Sequence, residues 1–128
     1  MKSISIIGGT GPEGRGLGLR FALAGHPVIL GSRDASRASE AAELLLTGDP
    51  QLEITGLGNI EAAQMADWVV LSVPYDGLKM TAQNLSPVLK GKIVISVIAP
   101  LVFEKGFAHG LEVPEGSAAE LTALMLPD

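Results

Sequence analysis

The 128-residue chain carries 9 Lys and Arg against 14 Asp and Glu, a net charge of -5, with 47% apolar and 18% charged residues. That balance suits one domain, 1–128, burying roughly 65–70% of its unfolded surface, and it excludes nucleic acid, which demands clustered basic charge. With no cysteine there is no disulfide framework, thiolate metal site or catalytic thiol, and two separated histidines, His26 and His109, make no metal site.

At the N-terminus "MKSISII" reaches Gly8 and Gly9 before a signal-peptide core can form. The stretch "IVISVIAPLVF" is shorter than the ~18 apolar residues of a membrane span and holds a proline. No membrane association and a cytoplasmic location are therefore expected. Mostly continuous apolar runs predict strands at 3–8, 27–30, 52–55, 68–73 and 92–97, as in strands covered on both faces. Helix-period segments fall at 13–24, 35–46, 60–66, 77–89 and 117–125. Asp34 and Asn59 are placed as N-caps, and Ser117 with Glu120 makes a capping-box pattern. Gly25, Gly48 and Gly91 follow three helices where a left-handed residue is favoured. Alternating elements with right-handed crossovers predict an α/β, Rossmann-like doubly wound parallel sheet in the order 3-2-1-4-5. Residues 98–116, "IAPLVFEKGFAHGLEVPEG", read as a long loop leaving the end of the fifth strand, where ligands sit in such sheets. The last helix ends at Pro127, where a sixth strand is expected to begin.

The stretch "IIGGTGPEG" supplies Gly9-x-Gly11-x-x-Gly14 between the first strand and the first helix. Gly9 is expected to make the turn, Gly11 to let the backbone approach a pyrophosphate, and Gly14 to let the helix pack close. With 16 glycines in the chain the spacing alone is weak; its place after the first strand, with Pro12 near the first helical position, carries it. A Walker loop requires Lys and Ser/Thr after the last glycine, and the chain has Arg15 and Gly16. Methyltransferases favour an acid at the second-strand tip. Tyr75 and Lys79 have the Tyr-x-x-x-Lys spacing of short-chain dehydrogenases, but they follow the fourth strand instead of lying in a later helix.

At the tip of the second strand stands "GSRD". An acid there accepts hydrogen bonds from a free ribose 2′-hydroxyl and repels a 2′-phosphate. Ser32 and Arg33 reverse both effects, since a hydroxyl and a guanidinium fork suit a phosphate. Arg37, one helical turn on, adds charge, and Thr10 adds a hydroxyl. The expected cofactor is NADP. Asp34 becomes the cap of the next helix.

The segment "IIGGTGPEGRGLGLRFALAGHPVILGSRD", with "GNIEAAQMADWVVLSVPYDG", "GKIVISVIAPL" and "VPEGSAAE", closely resembles F420-dependent NADP reductases over essentially all 128 residues. The resemblance implies an oxidoreductase moving hydride between NADP(H) and the deazaflavin coenzyme F420. It implies a pyrophosphate on the loop Gly9, Thr10, Gly11, Pro12, Glu13 and Gly14, with Glu13 turned to solvent. It places the 2′-phosphate on Thr10, Ser32, Arg33 and Arg37, and the nicotinamide beside Ser72, Val73, Pro74 and Tyr75. Ile98, Ala99 and Pro100 would approach both rings. Because the two cofactors carry the chemistry, no catalytic triad or carboxylate pair is required. Members of that family continue further, so the chain is expected to be a cofactor half, whether fragment or stand-alone unit, whose site a homodimer or partner chain completes.

Two other functions fit the cofactor half: a non-catalytic NADP-binding module, and a dehydrogenase or reductase of a small carbonyl compound. Of the remaining residues, His26 reads as a structural loop contact, His109 as a solvated histidine and Trp68 as core. Asp67 reads as a cap of the preceding turn or of the strand entry, and Lys105 as a loop cation, with contact to an anionic deazaflavin tail its lesser reading.

Overall fold

The computed structural model describes residues 1–127. Five strands form a parallel sheet: β1 (Ile4–Ile7), β2 (Val28–Ser32), β3 (Ile54–Gly58), β4 (Trp68–Leu71) and β5 (Ile93–Ser96), in the order β3-β2-β1-β4-β5. The expected order is the observed one. Helices α1 (Pro12–Leu23) and α2 (Ala35–Leu46) cover one face. There Ile4, Ile6, Val28, Leu30, Ile54 and Val70 are buried with Ala22, Ala41 and Ala42. On the other face lie α3 (Asn59–Met65), α4 (Leu78–Leu89) and α5 (Ala118–Met125), packed over Ile7, Ile29, Val69 and Leu71. Burial on both faces explains the unbroken apolar strands, whose alternate residues serve alternate cores.

The helix starts follow side-chain chemistry. Asp34 accepts from the Ser36 N–H at 2.9 Å, and Ser117 Oγ accepts from the Glu120 N–H at 3.1 Å. Pro12 is the first residue of α1, where its missing N–H costs nothing. Gly25 (φ 90°) and Gly91 (φ 73°) take the left-handed conformation after α1 and α4. Gly48 does not; Thr47 closes α2, with its Oγ1 donating to the Leu44 carbonyl at 2.6 Å. Nor does Asn59 cap α3: it is the first helical residue, and Gly58 precedes it as a cap without a side chain.

The stretch 98–116 differs most from expectation. Part of it folds into an antiparallel hairpin, β6 (Leu101–Glu104) with β7 (Phe107–Gly110). Its two-residue turn places Lys105 at φ 50° and Gly106 at φ 81°. Positive φ at both central residues matches the twist of paired strands. Lysine disguised the turn, because Asn or Asp is the usual signal at the first position. Among the described residues no helix is long and apolar enough to cross a membrane.

Candidate functional site

A groove of about 1060 Å³ runs along the C-terminal edge of the sheet. Its floor is the β1–α1 loop. Gly8 at φ 77° makes the sharp turn there, and a side chain on it would strike the Ser72 carbonyl of the neighbouring strand. The turn therefore belongs to Gly8 and not to Gly9, whose N–H donates to the Gly31 carbonyl at 2.9 Å. A Cβ on Gly9 would stand 2.8 Å from the Ile6 carbonyl, so this glycine is needed for packing against β1 and β2. Gly14 meets the expected requirement for close approach: its Cβ would lie 2.7 Å from the Gly8 carbonyl. Gly11 precedes α1 as its cap and has nothing within 3.7 Å of a Cβ position, which leaves that backbone open to the groove. The first-turn amides of a helix lack internal partners, so Glu13 and Gly14 offer N–H groups there.

The tip of β2 forms one end. Ser32 is 9% exposed and its Oγ accepts from the Asp34 N–H at 3.2 Å. Arg33 and Arg37 are exposed and line the groove, together with Thr10. Asp34 lines it too, but its carboxylate accepts from both the N–H and the hydroxyl of Ser36, each at 2.9 Å. These bonds, and then the charge of Arg37, hold its carboxyl below the ordinary carboxylate value. Through Oδ1 Asp34 is thus engaged with α2, and the β2 tip presents hydroxyl and guanidinium groups beside it.

Past the tip of β4, Ser72, Val73, Pro74 and Tyr75 form the middle wall, and a 3-10 turn at Tyr75–Gly77 leads into α4. Ser72 is fixed by its N–H bond to the Ile7 carbonyl at 2.9 Å. Ile98 and Ala99 line the far end, with Leu101 and Phe103 of the hairpin. Of the sixteen residues expected at the site, fourteen line this one groove. Gly9 lies beneath it, and Pro100 lies beside it with its carbonyl accepting from the Leu111 N–H at 2.8 Å. Lys79 is exposed on α4 outside the groove, so Tyr75 and Lys79 do not face a common ligand.

Sequence reasoning missed Gly8, Asn59, Asp76, Met80, Thr81 and the hairpin wall. The doubled glycine of "IIGGTG" was a signal for Gly8. Asn59 carried a signal too, since it follows the strand beside β2. His26 is structural as expected: its Nδ1 lies 2.9 Å from the Lys2 carbonyl and its ring meets Phe21 edge-on. His109 and Lys105 are exposed on the hairpin.

A parallel sheet in this order, with a glycine loop opening onto a groove at its C-terminal edge, defines a Rossmann-type dinucleotide-binding domain. The chain belongs to the family described as NADP oxidoreductase, coenzyme F420-dependent, whose model matches residues 3–100. It is 40% identical over 127 residues to the F420-dependent NADP reductase of Methanothermobacter thermautotrophicus, covering 96% of this chain and 55% of that protein. The reductase of the same name from Methanocaldococcus jannaschii is 40% identical over 131 residues, covering 98% of this chain and 58% of the relative. The chain thus spans about half the length of these curated relatives. Among solved structures, a pyrroline-5-carboxylate reductase from Coxiella burnetii superposes with a TM-score of 0.61 at 25% identity, over 77% of this chain and 36% of the other.

Proposed function

We propose that residues 1–128 are the NADP(H)-binding unit of a cytoplasmic reductase that transfers hydride between NADPH and coenzyme F420. The observation that carries this is the β2 tip: the buried Ser32, the half-buried Thr10 and the exposed Arg33 and Arg37 line the same groove as an open glycine loop. The family and its similarly named relatives support the choice of hydride partner.

In this reading the backbone at Gly11, Glu13 and Gly14 receives the pyrophosphate, with the space beside Gly11 left open to the groove. Glu13, exposed in the first turn of α1, keeps its carboxylate in solvent. Thr10, Ser32, Arg33 and Arg37 bind the 2′-phosphate by charge-assisted hydrogen bonds. Ser72, Val73, Pro74 and Tyr75 hold the nicotinamide side in register. Ile98, Ala99 and Pro100 border both rings and keep water out of the space between them. The two coenzymes supply the hydride chemistry when bound.

Ile93, Leu101, Phe103 and Phe107 are 43–74% exposed along β5 and the hairpin. That apolar surface supports a second copy or partner chain closing the deazaflavin side. Paired fluorescence titrations with NADPH and NADH test the cofactor, and bleaching of F420 absorbance on adding NADPH, measured with the closing polypeptide present, tests the partner. Equal affinity for both dinucleotides overturns the NADP assignment; unchanged F420 absorbance overturns the hydride partner.

A further inference from the structure

β5 is the last strand of the sheet, and only its inner edge is paired, with β4. The register settles which backbone groups are left over. Val97 donates its N–H to the Leu71 carbonyl, so odd-numbered residues of β5 turn their polar backbone inward, and Val94 and Ser96 turn theirs outward. Exposed edges are ordinarily guarded by a lysine, a proline or a bulge, because a bare row of donors and acceptors templates another strand. Ile93–Ser96 is an unbroken ladder of four uncharged residues with none of these. Its surroundings are apolar on both faces. On one, Ile93 is 56% exposed, in line with the half-buried Ile95 and Val97. On the other, a cleft of about 310 Å³ lies between β5 and α5, where Val94 and Ser96 face the small, exposed Ala119 and Ala123.

We infer that a second copy of this chain pairs antiparallel along β5, about a twofold axis at Ile95, so that two sheets become one continuous sheet. Val94 of each copy then lies opposite Ser96 of the other, each pair exchanging both of its N–H···O bonds. Ile93 is laid against Val97 of the second copy, and the two Ile95 side chains meet on the axis. The charges agree with that direction. Lys90, exposed just before β5, is brought level with Pro100 of the second copy. The Pro100 carbonyl accepts from the Leu111 N–H at 2.8 Å, which sets the exposed Glu112 beside it. Parallel pairing would instead set Lys90 against Lys90, a like-charge contact. The twofold contact also closes after two copies and leaves no edge to propagate from β5. The inference rests on the reading above only in taking this side of the molecule as the one another chain closes.

Sedimentation equilibrium of the chain is expected to give twice the monomer mass. Ile93→Lys, a change at an exposed position that adds a guard to the edge, should weaken association by about tenfold or more with an unchanged circular dichroism spectrum. The chain has no cysteine, so a single introduced one reports the register. Opposed residues of a non-hydrogen-bonded pair stand about 4.5 Å apart at Cα, within disulfide reach, so Ile95→Cys should cross-link under mild oxidation. Val97→Cys should not, because its counterpart in the second copy stands about 13 Å further along the strand. A monomer at all accessible concentrations leaves the edge to a strand of a different polypeptide and overturns the inference. So does a dimer in which Ile95→Cys fails to cross-link, in which Val97→Cys cross-links as readily, or which Ile93→Lys leaves intact. NADPH bound by a monomer keeps the dinucleotide reading and removes this one; a cross-linked dimer that binds no NADPH does the reverse.

Discussion

At the scale of single residues, selectivity depends on what each charge is already doing. Asp34 is hydrogen-bonded to Ser36, so its negative charge serves the start of α2. The Arg33 guanidinium therefore stands next to an acid whose Oδ1 is engaged by Ser36. Replacing Arg33 with Ala should weaken NADPH by about 1.5–3 kcal/mol, the worth of one hydrogen bond to a charged group. NADH should be almost unaffected, so the ratio of the two dissociation constants, measured by titration, carries the result. Arg37→Ala should act in the same direction with a smaller effect, since Arg37 stands a turn further along α2 and also neighbours Asp34. Equal losses for both dinucleotides in Arg33→Ala would remove it from the selector role.

At the scale of elements, the groove stays open because the strands and helices beneath it are pinned. Gly56 on β3 lies so close to α2 that a Cβ would overlap the Ala38 backbone. Gly56→Ala should cost about 1–3 kcal/mol or more in denaturant unfolding, without changing which dinucleotide is preferred. The start of β4 is tied to β1 by Asp67, which accepts from the Ser3 N–H at 2.9 Å and the Ser3 hydroxyl at 3.0 Å. Those bonds lower its carboxyl below the ordinary 3.8. A lowered carboxyl contributes stability above its unfolded value and loses it as pH falls through the folded value. Stability should therefore fall as pH drops below about 4, and Asp67→Asn should flatten that fall in acid titrations followed by circular dichroism. Lys92 performs a similar service at the end of α3, donating to the Gln64 and Ala66 carbonyls at 2.8 and 2.6 Å. The five strands of the sheet were legible as continuous apolar runs, buried on both faces, and the five helices by their apolar period. The hairpin was not: its strands are four residues long, mostly exposed, and turned by Lys105-Gly106 without the usual Asn. At the site, positions such as Ser32 and Arg33 were legible because they belong to one short motif. The wall of Leu101 and Phe103 was not, because it exists only once the hairpin of β6 and β7 has paired.

At the scale of the whole molecule, the net charge of -5 opposes an anionic ligand. Binding must then come from the local arginines and backbone amides, and it should weaken with added salt. A dinucleotide that binds only the folded chain also stabilises it by mass action, by about 2.7 kcal/mol at 100 times its dissociation constant. For a chain of this length each kcal/mol moves Tm by about 4 °C. NADPH at that concentration should therefore raise Tm by about 10 °C. NADH at the same concentration lacks the phosphate contacts at Ser32 and Arg33 and should give about half that shift or less. Differential scanning fluorimetry with both dinucleotides checks the pair of values. In Arg33→Ala the two shifts should draw closer together, because one charged phosphate contact is gone while Thr10, Ser32, Arg37 and the glycine loop remain. Convergence produced equally well by Gly56→Ala would instead trace selectivity to general loosening of the sheet, and the β2 tip would lose its place as the cofactor selector.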